Sequence, residues 1–286
     1  MNNLAKVIAL GGRRLNKALA MHYLFGRQDE PGYCIDSYVH DGANLFLDGI
    51  WNAGEGVHSD TLTSWVDLSG NCQPTPLGTG NTVGENCIAS DGTLNGRMTV
   101  PDVNPIDLTT FTLEVIYKNG SDSKANQVIL GRFNKTSYYV NTANNALTTW
   151  IGGSAKTVAI SLSNANVHTL QLTCVGTSAT AWVDGVKTTE NYAANAKSTS
   201  DPLCLFGNPR TETCFNGSIM AVRIHNRILT DAELAQNYEI DKARFGLTET
   251  ASMMMLGMPA DETSSTVYEE EQTIIDELEV IEDDTI

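Results

Sequence analysis

The sequence predicts an all-β protein built as a two-sheet antiparallel sandwich and closed near its C-terminal end by a single helix. Three observations carry this. Between Tyr38 and Phe206, short strand-like runs recur with turn residues between them, which is the pattern of a sandwich and not of alternating strands and helices. Asp184-Gly185 is the strongest short hairpin signal, because a type I′ turn needs positive φ at both central residues. Residues 214–246 then read as a strand, a turn and a capped helix in direct succession.

In chain order, the first element is a basic arm over residues 1–30. Leu4, Val7, Ile8, Leu15, Leu19 and Tyr23 fall close to helical spacing, with Lys6, Arg13, Arg14 and Lys17 largely on other sides. Gly11 and Gly12 weaken the helix in its middle. They also cut the apolar stretch Val7 to Leu10 too short for a secretory signal, so none is expected. Such a helix suits a protein neighbour better than a membrane surface, and Arg27 to Pro31 reads as linker.

The strands follow. Thr110 to Tyr117 alternates Phe111, Leu113 and Val115 against Thr112, Glu114 and Ile116. Gln127 to Leu130, Ser137 to Val140, Ala146 to Ile151, Val167 to Val175 and Ser178 to Val183 come next, the last leading into the Asp184-Gly185 turn. From Ser218 to His225, Met220, Val222 and Ile224 are expected on one face of a half-buried strand and Ala221, Arg223 and His225 on the other. Thr230 and Glu233 have the spacing of a capping box, Leu229 and Leu234 that of a hydrophobic staple, and Gly246 is placed to stop the helix.

Beyond Gly246 the composition changes to a Met-rich and acidic arm, residues 247–286. Met253, Met254, Met255, Leu256 and Met258 cluster, and Ile274, Ile275, Leu278 and Ile281 can line one side of a short acidic helix. The alternative is a disordered, solubilising tail. Charge divides along the same boundaries. Five basic and no acidic residues precede Asp29, twelve acidic and no basic residues follow from Leu247, and the whole chain carries −16. That balance excludes nucleic acid as the main partner, since phosphate binding needs clustered Lys and Arg. No apolar run approaches the roughly 20 residues of a membrane span. Six cysteines are spread without a C-x-x-C pair, which argues against zinc; Cys204 and Cys214 flank a candidate hairpin and would bridge only under oxidation, free thiols being the expectation.

Several stretches resemble one family. Phe215 to Tyr238, FNGSIMAVRIHNRILTDAELAQNY, is similar to the last strand and closing helix of the laminin-G-like, concanavalin A-like jelly roll. Asp41 to Asn71 resembles the opening of such domains in bacterial and bacteriophage proteins, Glu85 to Pro101 the strand pair that follows, and AWVDGVK the penultimate hairpin. The resemblance runs from about Tyr38 to Gly246 and implies one jelly-roll domain over residues 31–246.

The resemblance also says where chemistry would lie. Glucanases of this class carry Glu-x-Asp-x-Glu on a strand, two carboxylates flanking a glycosidic bond. No strand here has that pattern; Glu239 and Asp241 come nearest, within the helix. With no G-x-S-x-G elbow and no phosphate loop either, the chain is not expected to be an enzyme and needs no cofactor. Calcium sites of relatives point to Asp91, Asn95 and Asp102 as oxygen donors, although Asx-rich turns look the same. Glycan binding on this fold uses an exposed aromatic with polar neighbours, for which Tyr138, Tyr139, Trp150 and Trp182 are available. Adjacent Tyr138 and Tyr139 must face opposite ways. His58 and Trp51 resemble residues common in the bacteriophage-type opening, where ligand contact competes with structural roles for His58 in its loop and for Trp51 and Trp65 as core anchors.

Two classes of function follow. One is a structural virion protein, a capsid decoration, head-fibre or tail-associated component assembled in the host cytoplasm, whose partners are other virion proteins or copies of itself and weakly bound surface glycans. The other is a free lectin-like module; a glycoside hydrolase ranks third. The charged arms favour the first, with Leu4, Val7, Ile8, Leu15, Leu19, Met253, Met255, Ile274, Ile275, Leu278 and Ile281 as the expected assembly contacts.

Overall fold

Alternating runs become strands where alternation was expected. The computed structural model describes residues 35–247, apart from 103–107, 121–125, 133–137, 144–145, 160–161, 163–165, 198 and 210–211. Contacts divide the chain into two units, Met1–Thr250 and Ala251–Ile286, and every described residue belongs to the first. The predicted arm contacts named above, and Cys34, lie outside the described residues.

In chain order the strands are β1 (Ala43–Asp48), β2 (Ser64–Trp65), β3 (Thr75–Pro76), β4 (Asn81–Val83), β5 (Ile88–Asp91), β6 (Met98–Thr99), β7 (Phe111–Asn119), β8 (Gln127–Arg132), β9 (Tyr138–Ala143), β10 (Ala146–Ile151), β11 (Ser154–Ala159), β12 (Val167–Val175), β13 (Ser178–Val183), β14 (Val186–Asn191), β15 (Leu203–Leu205) and β16 (Asn216–His225). One helix, α1 (Asp231–Phe245), follows them. The larger sheet runs β14-β13-β12-β7-β16-β5-β4, with β1 also paired to β16. The smaller runs β11-β10-β9-β8-β15-β6, and β2 pairs with β3. The ladders between these strands are antiparallel.

Between the sheets lies an apolar core. Leu113, Val115, Leu170, Leu172, Val222 and Ile224 from the larger sheet share one buried cluster with Leu130, Val140, Leu147, Ile151, Leu203 and Leu205 from the smaller. Trp65 is fully buried there and Trp51 is buried nearby, as anchors should be. The Asp184-Gly185 turn has φ values of 50° and 79°, the left-handed pair that a type I′ turn demands.

β16 departs from its expected pattern in two ways. A register shift between Ile219 and Ala221 inserts an extra residue, which advances the side-chain phase. Met220 therefore leaves the company of Val222 and Ile224 and joins Ala221, Ile116, Tyr238, Phe245 and Leu247 in a second cluster beneath the helix. The strand is also buried on both faces, because α1 covers the side where Arg223 and His225 stand, 1% and 0% exposed.

The ends of α1 match their sequence signals. Thr230 and Glu233 form the reciprocal capping box, and Gly246 closes the helix at φ 66°. Leu229 and Leu234 are both buried, where the staple places them. The packing face is another matter. Lys187, Trp182, Gln171, Glu114 and Arg223 stand opposite one another across β14, β13, β12, β7 and β16, and α1 lies along that row at intervals of three or four residues. Asp231 meets Lys187 at 2.9 Å. Gln171 Nε2 donates to Leu234 O at 2.7 Å and to Glu114 Oε2 at 2.8 Å. Asn237 Nδ2 donates to Glu114 Oε1 at 2.8 Å, and Arg223 Nε to the same oxygen at 3.1 Å. Both Nη groups of Arg223 then grip Asp241. Last, Arg244 donates to Asp48 Oδ2 at 2.6 Å and stacks 3.8 Å over the Trp51 ring. Residues 35–40 strap across this layer, with Tyr38 OH donating to Asp241 and Val39 N to Asn237 Oδ1, each at 2.9 Å.

Candidate functional site

Trp150 stands at the end of β10, one residue before the turn Ile151-Gly152-Gly153-Ser154. Gly152 and Gly153 have φ values of 59° and 91°, so this is a two-residue turn suited to glycine. A Cβ at Gly152 would also lie 1.9 Å from Ala194 O, which no side chain could tolerate. The tight return sets Trp150 opposite Ala155 and Thr148 opposite Thr157. On the other flank of β10, Thr148 pairs with Asn141 and Trp150 with Tyr139.

Burial decides which way these residues face. Along β10, Leu147 and Ile151 belong to the inter-sheet core, so Thr148 and Trp150 point outward and are only half-buried. Directly opposed residues share a face, which gathers Trp150, Ala155, Thr148, Thr157 and Asn141 into one patch on the outside of the smaller sheet. Among the described residues no helix packs there, since α1 lies on the larger sheet. The Thr148 and Thr157 hydroxyls are 3.4 Å apart. Asn141 is 6% exposed, yet its Oδ1 has no hydrogen-bond partner, a costly state for a buried carbonyl oxygen.

The other predicted positions fall elsewhere. Tyr138 is 1% exposed with its ring 4.6 Å from that of Phe111, so it is a core residue and presents no face to a ligand. His58 is held by its own loop: Nδ1 donates to Ile50 O at 3.0 Å, and Nε2 lies 3.2 Å from Asp60. Asp91 accepts from Thr93 N and Thr93 Oγ1, and Thr93 in turn caps the short turn that contains Asn95, an arrangement Asx-rich loops adopt without a metal. Asp102 is engaged separately, accepting from Gln73 N at 2.5 Å. Among the described residues no three His, Cys, Asp or Glu side chains gather as metal ligands. None of the five described cysteines is in a disulfide, Cys204 and Cys214 included, and burial pushes the Cys72 and Cys174 thiols up to about 12.

The densest group of titratable side chains lies beneath α1 and was not foreseen. Glu114, Arg223 and Asp241 are each no more than 2% exposed. Burial opposes the Glu114 charge, but Arg223, His225 and the hydrogen bonds from Gln171 and Asn237 together hold its carboxyl below the usual range. Asp241 goes the other way: burial, joined by the nearby Glu114 charge, outweighs Arg223 and Tyr38 and pushes it up to about 6. His225 is driven down, chiefly by burial. Sealed under a helix, with every carboxylate gripped by an arginine, this group holds structure together and offers no approach to a substrate. A signal for it did exist in the sequence: Asp231, Asn237, Asp241 and Arg244 recur at the spacing where a packing helix would ordinarily carry apolar residues.

Comparison with known proteins bears on the fold. The profile of the concanavalin A-like lectin/glucanases superfamily matches residues 91–235, just over half of the chain. No curated protein sequence matches. Among solved structures, Trypanosoma rangeli sialidase in complex with sialic acid is 14% identical with a TM-score of 0.54, covering 71% of this chain and 33% of the sialidase. The binding domain of Paraclostridial Mosquitocidal Protein 1 is 15% identical with a TM-score of 0.53, covering 71% of this chain and 52% of that one. The botulinum neurotoxin type G receptor binding domain is 16% identical with a TM-score of 0.52, covering 70% and 52%. This chain thus spans about a third of the sialidase and about half of each toxin domain, and at these identities the likeness is one of fold.

Proposed function

Starting from the fact that the chain belongs to the concanavalin A-like lectin/glucanases superfamily, we propose that it is a non-catalytic glycan-recognition module displayed on a virion-type particle. The observation that carries the recognition half is the Trp150 patch: a half-buried indole on a sheet face without a described helix over it, beside hydroxyl and amide groups. Sugars are bound in this way, an apolar ring face supplying contact area and a few fixed polar groups supplying orientation. The toxin binding domains of the same fold agree in kind with a recognition role. For the absence of catalysis, the support is that Glu114, Asp241 and Asp48 are committed to Arg223 and Arg244 beneath α1.

The display half rests on layout. Residues 35–40 and the end of α1 both pack on the outer side of the larger sheet, so both ends of the described domain leave from the side opposite Trp150. The sequence continues from those ends into segments of opposite charge with short apolar rows, suited to docking on neighbours in a particle assembled in the host cytoplasm. The full chain, titrated with bacterial surface polysaccharides, is expected to bind one of them without cleaving it and to lose that binding in Trp150→Ala. Deleting Met253 to Ile286 should abolish incorporation into a particle while leaving the thermal midpoint of the jelly roll in place. Turnover of the polysaccharide, or normal incorporation of the truncated chain, would count against the corresponding half.

A further inference from the structure

The patch around Trp150 has a chemical character that narrows what it can hold. Its in-register members, Trp150, Ala155, Thr148, Thr157 and Asn141, are all uncharged. The described cations of the same sheet are committed to the protein itself. Lys156 pairs with Thr149 on the opposite face and lies 3.5 Å from Glu190. Arg132 is fully buried and donates to the carbonyl oxygens of Asp201 and Thr199. Arg97 donates to Asn208 O at 2.8 Å. A carboxylate brought onto this patch would lose water and meet no described cation to replace it, which is costly for a charge. The chain's net charge of −16 adds repulsion for a polyanion at longer range.

One buried group of the patch asks for a donor. Asn141 Oδ1 is a buried acceptor without a partner. A carboxylate, an acceptor only, cannot satisfy it, whereas a sugar hydroxyl can. Asn141 and Trp150 are diagonal neighbours across β9 and β10, a pairing whose Cβ atoms lie somewhat less than about 7–8 Å apart. That separation lets one pyranose lay its C–H face on the indole and turn a hydroxyl toward Asn141 and others toward Thr148 and Thr157.

We infer that the Trp150 face selects an uncharged hexose unit and discriminates against sialic and uronic acids, an inference that rests on the glycan-recognition reading above. The two are separated by probing the full chain on an array that carries neutral hexose oligosaccharides beside sialylated and uronate-containing ones, at low and high salt. The expected result is binding confined to neutral glycans and unchanged by salt. Affinity should fall about tenfold or more in Trp150→Ala, as for loss of a buried aromatic anchor, and fall also in Asn141→Ala, with both variants still unfolding in one cooperative transition. Preference for sialylated or uronate glycans, abolished by Trp150→Ala, would overturn the inference and leave the recognition reading standing. Binding to no glycan, or binding indifferent to Trp150→Ala, would overturn both.

Discussion

On the outer face of the larger sheet, five neighbouring strands contribute Arg223, Glu114, Gln171, Trp182 and Lys187 to one row, and α1 seals its Arg223, Glu114 and Gln171 end from water. On the outer face of the smaller sheet, β9, β10 and β11 contribute Asn141, Thr148, Thr157, Ala155 and Trp150, and no described helix lies over them. Both faces are built by the same alternation of side chains. What separates them is charge and cover. A buried ion pair adds little net stability over a well-packed apolar pair, but it fails badly when one partner is removed. Charged rungs under α1 therefore fix where the helix lies more than how tightly it holds. The face without a described helix carries no such charges in its described Trp150 patch, and Asn141 there keeps an orphaned acceptor.

The comparison breaks most visibly at Glu114. Replacing it by Ala leaves Arg223 buried beside a single carboxylate and strips Gln171 and Asn237 of their acceptor, so unfolding measurements should show a loss of about 3–5 kcal/mol. A joint replacement of Glu114, Arg223 and Asp241 by apolar residues of similar volume should cost far less. If the single and the joint replacements cost the same, the rungs are ordinary packing and the contrast between the faces is lost.

Acidity sharpens the same point through Asp241. Its folded carboxyl titrates at about 6, above its unfolded value, so its protonated form favours the fold. The contribution is fully present below about pH 4 and disappears as pH rises through about 6. Glu233 acts oppositely: hydrogen bonds from Arg227 and Thr230 hold it at about 2, and its contribution disappears as pH falls from about 4.5 toward 2. Between pH 7 and 5 the His225 contribution works against that of Asp241, because a histidine held below its usual value loses stability as pH falls, so the Asp241 part is read as a difference: the parent's thermal midpoint should rise relative to that of Asp241→Asn as pH is lowered from 7 toward 5. A difference that shrinks or reverses over that range would contradict this. At the helix end, Thr230→Ala removes the cap and should cost about 1 kcal/mol. On the face without a described helix, Trp150→Ala at its half-buried position should cost less than the Glu114 replacement.

Much of this architecture was legible in the sequence because it is local. The capping box, the staple, the Gly246 stop and the Asp184-Gly185 turn each depend on a few adjacent residues, and alternation outlined the strands from Phe111 to Val183. What stayed hidden depends on partners far along the chain. The phase of Met220 turns on a bulge that only the register with β7 reveals. Arg223 and His225 read as solvent-facing because nothing in β16 itself announces a helix above it. Alternation required one of Tyr138 and Tyr139 to point inward but could not say which, since pairing with β8 and β10 and the contact with Phe111 decide it. Trp150 was visible as an aromatic beside a glycine turn, whereas Asn141 became part of the site only through its register with Thr148.

The two faces each carry one partly exposed tryptophan, Trp182 on the larger sheet under Lys187 and Trp150 on the smaller. Their substitution is the most direct test of the assignment. Titrating the same neutral oligosaccharide into Trp150→Ala and Trp182→Ala, alongside the parent chain, should give a loss of about tenfold or more in affinity for the first and an unchanged affinity for the second. Equal losses in both, or a loss confined to Trp182→Ala, would contradict the assignment of recognition to the open face.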